Sequence, residues 1–160
     1  MKFDFDVEGL KNLETALENL NLAVQNRVLR KAVREASKPI KRDVEARISN
    51  QGLIDTGALV NDVKVRVTTD KKNKQVFDVG AKVGFGKASA YKAYWLEFGV
   101  EPHILNPNAR RADGSRVDFV LMHPGFEPKP ILQPSLEENN DEVVSIAKSV
   151  LAASIQRAIK

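Results

Sequence analysis

Apolar residues recur at helical spacing in the first third of the chain. Leucines stand three or four residues apart between Leu10 and Leu20, which predicts one face of a short helix. A longer apolar series from Val28 to Ile48 predicts an amphipathic helix whose opposite face is basic. Pro39 lies inside this series and removes a helical hydrogen bond, so we expect a kink or a break near Lys38.

Alternating apolar and polar residues predict strands in four places. Residues 3–7 and 117–122 each predict a short strand. Residues 63–67 and 77–83 predict two further strands of one sheet, joined by the charged turn DKKNK at 70–74. These strands together indicate an antiparallel β-meander.

The second half of the chain predicts two more helices. Aromatic residues at helical spacing predict a short helix over 91–98; their simplest role is in the core, with a subset partly exposed. Pro134, followed by acidic residues, is typical of a helix N-terminus, and a terminal helix is expected over 135–159. The fold class is therefore α+β, with the antiparallel β-meander packed against a long kinked N-terminal helix and a C-terminal helix. We expect a single domain over residues 1–160.

Glycine, proline and asparagine mark the connections. Residues 55–57 predict a turn, and residues 84–90 (GFGKASA) predict a loop. A loop is expected over residues 100–116, longer than a compact domain needs and therefore a candidate contact segment. Four prolines between His123 and Pro134 predict a rigid arm that sets a contact surface, with His123 stabilising its turn.

The composition excludes several kinds of chemistry. The chain has 160 residues and no cysteine, so it has no disulfides, zinc–thiolate sites or cysteine nucleophiles. No stretch reaches the roughly 18 consecutive apolar residues of a membrane helix, and the first residues lack the apolar run of a secretory signal. We therefore expect no membrane partner, and assembly in a cytoplasm or in a particle made there.

The net charge of +4 comes from one segment of the chain. Between Arg27 and Arg47, eight basic residues stand against three acidic ones. A solvated face, a protein contact and a nucleic-acid contact all fit such a stripe, so a basic nucleic-acid-binding accessory protein is the alternative function. No helix-turn-helix or aromatic RNA platform accompanies it. The predicted contact residues of this stripe are Arg27, Arg30, Lys31, Arg34, Lys38, Lys41 and Arg42.

Catalytic and metal sites find little support in the pattern. His103 and His123 could join Glu97 and Asp118 as metal ligands, but the histidines are twenty residues apart and each adjoins a proline. No serine lies in a glycine-flanked elbow, and GFGKAS is too short for a phosphate loop. We therefore expect no catalytic residue, no cofactor and no metal. The remaining predicted contact residues are Trp95, Phe98, Arg110, Arg111, Arg116, His123 and Phe126.

Three motifs in a fixed order make the chain resemble a known family. They are DTGAL at 55–59, AYWLEFGVEPH at 93–103 and LMHPGFEPKPILQPSLEE at 121–138, after a helix pair that opens with VEGLKNL. The chain resembles small virion proteins of long-tailed double-stranded-DNA phages and prophages, called minor tail component, tail-completion or head–tail joining (neck) proteins. The matching positions are Thr56, Gly57, Leu59, Tyr91, Glu97, Phe98, Gly99, His123, Pro124, Gly125, Pro130 and Pro134.

The resemblance spans nearly the whole chain. The chain departs from the family pattern at Ile131-Leu132, where an aromatic residue often follows the proline, and in its longer loop at 104–116. The resemblance implies a structural virion protein that catalyses no reaction and is assembled in the bacterial host cytoplasm. The implied partners are a tail terminator, a head-completion protein or a tube protein, and further copies of this chain in a ring, with DNA contact a possibility.

Overall fold

The computed structural model has the predicted α+β fold and describes residues 7–53, 57–69, 79–105, 110, 114–115 and 121–159. In chain order, the helices are α1 (Val7–Glu18), α2 (Leu22–Ala36), α3 (Lys38–Asn50), α4 (Ala58–Asn61), α5 (Ala90–Phe98), α6 (Leu132–Glu138) and α7 (Asn140–Ile159). The strands are β1 (Val63–Thr69), β2 (Val79–Phe85), β3 (His103–Leu105) and β4 (Leu121–His123).

The long basic helix is broken where the sequence predicted. α2 ends at Ala36 and α3 begins at Lys38, with Ser37 between them. Pro39 lies in the first turn of α3, where its missing N–H removes no helical hydrogen bond. Ser37 Oγ donates to the Val33 carbonyl at 2.7 Å, which satisfies one acceptor at the end of α2. The break near Lys38 is therefore confirmed.

Antiparallel strands form two separate pairs within the described residues. β1 and β2 pair with Val63 opposite Phe85, which confirms the two strands that alternation predicted there. β3 and β4 pair with His103 opposite His123. The strands of the expected meander are thus divided between two pairs, because β4 takes its partner from β3 and not from β2.

Three boundaries differ from the sequence prediction. The loop expected over 100–116 contains β3, which has only three residues and is too short to show alternation. β2 continues through Gly84 and Phe85 because a glycine interrupts the apolar pattern without interrupting backbone pairing. The terminal helix begins at Leu132, and Asn139 divides it into α6 and α7.

Several predicted segments lie wholly or partly outside the described residues. Of the strand expected over 3–7, only Val7 is described, and it begins α1. The others are Asp55 and Thr56 of the first turn, the charged turn at 70–74, residues 77–78 of the second strand, and residues 117–120 of the last.

Two apolar clusters form the core, and both use helix faces that the apolar spacing predicted. The first consists of Ile40, Val44, Ile48, Val63 and Ile131. The second, between α1, α2 and α7, consists of Leu17, Val28 and Ile155. Burial of each such side chain contributes about 1.5–3 kcal/mol. The first cluster fixes α3 against β1 and the start of α6, and the second holds α2 against α7.

Candidate functional site

The end of α5 is joined to the proline-rich arm (residues 123–134) through backbone hydrogen bonds. The Lys129 N–H donates to the Leu96 carbonyl at 2.7 Å. Val100 and Phe126 exchange two hydrogen bonds, at 3.0 and 2.9 Å. We call this region, residues 96–100 with 125–133, the motif junction, because it brings the second and third sequence motifs together.

Glu97 caps the helix that follows the arm. Its carboxylate accepts hydrogen bonds from the N–H groups of Ile131, Leu132 and Gln133 at 2.9, 3.0 and 2.9 Å. These N–H groups lie at the start of α6 and lack partners within the helix. The negative charge also lies at the positive end of the helix dipole. Glu97, which the sequence offered as a possible metal ligand, is thus engaged with the backbone.

Two glycines allow the motif junction to close. Gly99 and Gly125 have φ of +74° and +73°, in the left-handed region that glycine favours. A Cβ atom at Gly125 would overlap the Val100 carbonyl oxygen, and one at Gly99 would lie 2.9 Å from the Phe126 carbonyl oxygen. Side chains at these two positions would therefore separate the arm from the end of α5.

The first motif supports the core. Gly57 has φ +73° and immediately precedes α4. Leu59 of α4 packs against the cluster that contains Val44 and Ile48. Thr56 lies outside the described residues.

The two histidines meet across β3 and β4. Their rings stack with centroids 5.0 Å apart and planes inclined by 20°. His123 Nδ1 accepts the Gly125 N–H at 3.0 Å, and His103 Nδ1 donates to the Glu101 carbonyl at 2.9 Å. No local sequence pattern indicates this contact, because it results from the pairing of β3 with β4. The His123 bond agrees with the predicted turn-stabilising role, and the role of His123 in a contact stays a prediction.

An apolar groove of about 880 Å³ lies beside the motif junction, between α3, β2, α5 and α6. Phe98, Tyr94 and Leu136 line it and are 64%, 62% and 56% exposed. Ile40 and Val83 contribute to its apolar wall. We call it the aromatic groove. Exposed aromatic side chains beside a concave apolar surface are typical of protein contact sites.

Aromatic residues cover two sides of α5. Tyr94 and Phe98 pack with ring centroids 4.8 Å apart, and Tyr91 contacts Trp95 edge to face at 5.1 Å. All four are between 47% and 64% exposed, so their expected core role is wrong. The buried residue of α5 is Ala93, whose small side chain lets the helix lie close to the core while its aromatic residues face outward.

The α3 part of the basic stripe is paired with carboxylates of the same chain. The ion pairs are Lys38–Glu35, Lys41–Glu45, Arg42–Glu142, Arg47–Asp43 and Arg47–Glu138. Glu138 and Glu142 belong to α6 and α7, so these charges link α3 to the C-terminal helices.

The α2 part of the stripe differs from the α3 part. Within the described residues, Arg27, Lys31 and Arg34 form no ion pair, and Arg30 donates only to a threonine hydroxyl of β1, at 3.1 Å. Arg27 and Lys31 line a groove of about 290 Å³ between α2 and α7, together with Arg157. We call it the basic groove. None of its three basic side chains pairs with a carboxylate of the described residues.

The pair Asp43–Arg47 is charged at neutral pH. Burial by itself raises the pKa of Asp43, but the hydrogen bond from Arg47, aided by Ser135 and Asn139, outweighs burial and lowers the pKa from its ordinary value of 3.8. The hydrogen bond to Asp43, followed by the bond to Glu138, raises the pKa of Arg47. These shifts favour the charged forms and so stabilise the contact of α3 with α6.

The other predicted contact residues occupy different places. Trp95 and Phe126 line one cavity of about 220 Å³ beside α4 and α5. Arg110 is exposed and donates to the Gly114 carbonyl at 3.2 Å. Arg111 and Arg116 lie outside the described residues. Their assignment as contact residues stays a prediction.

Three residues at the grooves were missing from the sequence prediction: Tyr94, Leu136 and Arg157. Tyr94 precedes Phe98 by four residues, a spacing that places both side chains on the same face of a helix. Tyr94 could therefore have been predicted as a contact residue together with Phe98. Leu136 and Arg157 carry no local signal, because the packing of α6 and α7 brings them to their grooves.

The described part of the chain contains neither a cluster of metal ligands nor a helix suited to cross a membrane. In that part of the chain, no group of three or more His, Asp or Glu side chains is placed to hold a metal ion. Asp118, one of the suggested ligands, lies outside it. None of the described helices is both long and apolar enough to cross a membrane.

Comparison with known proteins identifies a family. No curated protein and no solved structure matches the chain. The family described as "Bacteriophage HK97-gp10, putative tail-component" matches residues 11–99, from α1 to the glycine that follows α5. The match covers more than half of the sequence, includes the first motif and ends at the motif junction. The chain therefore belongs to the HK97-gp10-like family of bacteriophage tail components.

Proposed function

We propose that this protein is a structural component of a tailed virion that completes the tail and joins it to the head, acting by docking and catalysing no reaction. Membership in a tail-component family supports the virion location and contact with other tail proteins. The proposed partners are a tail terminator, a head-completion protein or a tube protein, with copies of this chain forming a ring. We further propose one domain over residues 1–160, assembled in the host cytoplasm.

The aromatic groove is the observation that carries this proposal. A partner surface seated in the groove would contact Tyr94, Phe98 and Leu136. Aromatic residues at the centre of an interface often contribute 2 kcal/mol or more each, which corresponds to roughly 30-fold in affinity. The groove is walled by α3, α5 and α6, which Glu97 and the arm hold in place, so little ordering is needed when a partner binds.

The test is complementation of particles whose gene for this protein has been deleted. Wild-type protein should restore infectious particles and appear at the head–tail junction in cryo-microscopy. A Tyr94→Ser, Phe98→Ser variant should fold normally, because both side chains are mostly exposed, and should fail to restore them. Met122→Ser is the matched control, since Met122 is 63% exposed and does not line the groove.

Two results would count against the proposal. One is a purified particle that lacks the protein. The other is a deletion strain that assembles and infects as the parent does.

A further inference from the structure

Helix α7 has opposite charges at its two ends. Its first turn carries Asp141 and Glu142, and its last turn carries Arg157. Near the first turn, Arg42 of α3 pairs with Glu142. Near the last turn, α7 lies beside Arg27 and Lys31 in the basic groove. One helix therefore connects an acidic end of the molecule to a basic end.

The acidic end keeps free carboxylates after internal pairing. Glu138 and Glu142 are paired with Arg47 and Arg42. Glu137 and Asp141 are exposed and form no ion pair with any described residue. Glu137 accepts only the side-chain amide of Gln133, at 3.0 Å. This end therefore remains negative.

The basic end keeps an excess of positive charge. Arg27, Lys31 and Arg157 line the groove, and Arg34 projects from the same helix as the first two. α1 brings the exposed carboxylates Glu14 and Glu18 to this part of the molecule, since α1 packs against α2 and α7 through the second core cluster. The described residues that line the groove are three basic residues, three apolar residues and Ser154, with no acid among them.

The two ends are far enough apart not to neutralise each other. From Asp141 to Arg157, α7 rises about 24 Å at 1.5 Å per residue. The screening length at physiological salt is about 8 Å. Within one copy the charges therefore barely interact, whereas contact between two copies would bring them together.

We infer that copies of this chain associate head to tail, with Glu137 and Asp141 of one copy against the basic groove of the next. Such a contact joins two different surfaces, so an open row of copies keeps one free acidic end and one free basic end. Further copies can add to these ends until the row closes into a ring. The inference rests on the proposed ring and adds the surfaces that form it. Charge complementarity between two ends of the same chain is the reason for assigning a second copy.

DNA is the competing occupant of the basic groove. A phosphate backbone could pair with the basic side chains, but it presents only charged and polar oxygen atoms to the groove. It would also leave the apolar floor of Val24, Val28 and Ala158 without a matching surface. A protein surface that combines carboxylates with aliphatic carbon fits this lining better.

Charge reversal tests the contact. The basic-end variant carries Arg27→Glu and Lys31→Glu, and the acidic-end variant carries Glu137→Lys and Asp141→Lys. Each variant alone has two ends of like charge, so its self-association should weaken at least tenfold in sedimentation velocity. An equimolar mixture of the two variants, or one chain with all four changes, should regain association. The variant Lys87→Glu with Glu101→Lys reverses exposed charges elsewhere and should associate as the wild type does.

Circular dichroism identifies a reversal variant that fails to fold. In that case two neutral double variants replace the reversals: Arg27→Gln with Lys31→Gln, and Glu137→Gln with Asp141→Asn. Each double variant should weaken self-association and reduce the dependence of self-association on salt.

Wild-type protein that stays monomeric at all concentrations and at low salt overturns the inference. A mixture that stays monomeric also overturns it. A wild-type chain that binds duplex DNA through Arg27 and Lys31 without self-association assigns the groove to DNA instead. None of these results removes the protein from the particle, so presence in the virion is a separate test of the proposed function.

Discussion

The motif junction and the α2 part of the basic stripe use polar groups in opposite ways. In the junction, the Glu97 carboxylate accepts three backbone N–H groups of the same chain. On α2, Arg27, Lys31 and Arg34 have no ion-pair partner within the described residues. The first arrangement stabilises the isolated chain, whereas under our proposal the second contributes when an anionic surface binds. Glu97, Gly99 and Gly125 of the family motifs thus serve folding, whereas the proposed contact surfaces are recognised by exposure and unpaired charge.

The largest effect expected in this comparison comes from Gly125→Ala in the motif junction. The left-handed conformation costs a non-glycine residue about 1–2 kcal/mol, and the overlap of the new Cβ with the Val100 carbonyl adds about 1–3 kcal/mol. Urea unfolding should therefore show a loss of about 2–5 kcal/mol. Gly52→Ala is the control, because Gly52 has φ +67° and no atom within 4 Å of the new Cβ. Equal losses for the two variants would show that the close approach at Gly125 contributes nothing.

The next largest effect is expected from Glu97→Ala. The change removes a charged acceptor from three backbone N–H groups at the start of α6, and a hydrogen bond to a charged group contributes about 1.5–3 kcal/mol. Because the site is only partly buried and water can replace the carboxylate, we expect a loss of about 2–3 kcal/mol in urea unfolding. Glu127→Ala, at an exposed position in the same arm, should stay within about 0.5 kcal/mol of the wild type. A Glu97→Ala variant as stable as Glu127→Ala would contradict the capping role.

Local patterns predicted much of the fold and little of the candidate site. The apolar spacing from Val28 to Ile48, and Pro39 within it, is a property of neighbouring residues, so the broken helix was visible in the sequence. The stacking of His103 on His123 depends on the pairing of two short strands, which no local pattern encodes. The difference between the paired α3 charges and the unpaired α2 charges could not be predicted for the same reason, since Glu138 and Glu142 reach α3 only through tertiary packing.

A smaller, pH-dependent effect is expected at Asp43. Its pKa in the folded chain lies below the ordinary value of 3.8, so the ionised carboxylate stabilises the fold above that pH. This contribution declines as the pH falls below 3.8 and through the lowered pKa. Asp43→Asn should therefore destabilise the chain by about 1 kcal/mol at pH 6. The gap between wild type and variant should narrow in urea unfolding at successively lower pH. A gap of constant size down to pH 2.5 would contradict the assignment.

The smallest effect is expected for Arg34→Gln, and Arg47→Gln is the variant to compare it with. Both changes remove one positive charge from the same stripe and keep a long polar side chain. Arg47 holds Asp43 and Glu138, so its loss should lower the free energy of unfolding by about 1–2 kcal/mol. Arg34 has no ion-pair partner in the described part of the chain, and its loss should change stability by less than about 0.5 kcal/mol.

The free energies of unfolding of these two variants at several salt concentrations distinguish a charge paired within the chain from an unpaired charge. In the Arg47–Asp43 ion pair, the two side chains are only 22% and 29% exposed. Moderate salt should therefore screen this pair little, and the loss of stability in Arg47→Gln should persist as salt is added. Arg34→Gln should stay close to the wild type in stability at every salt concentration, because Arg34 forms no ion pair with a described residue that salt could screen. If Arg34→Gln destabilised the chain as much as Arg47→Gln does, the α2 charges would belong to the fold, and their assignment to an external contact would fail.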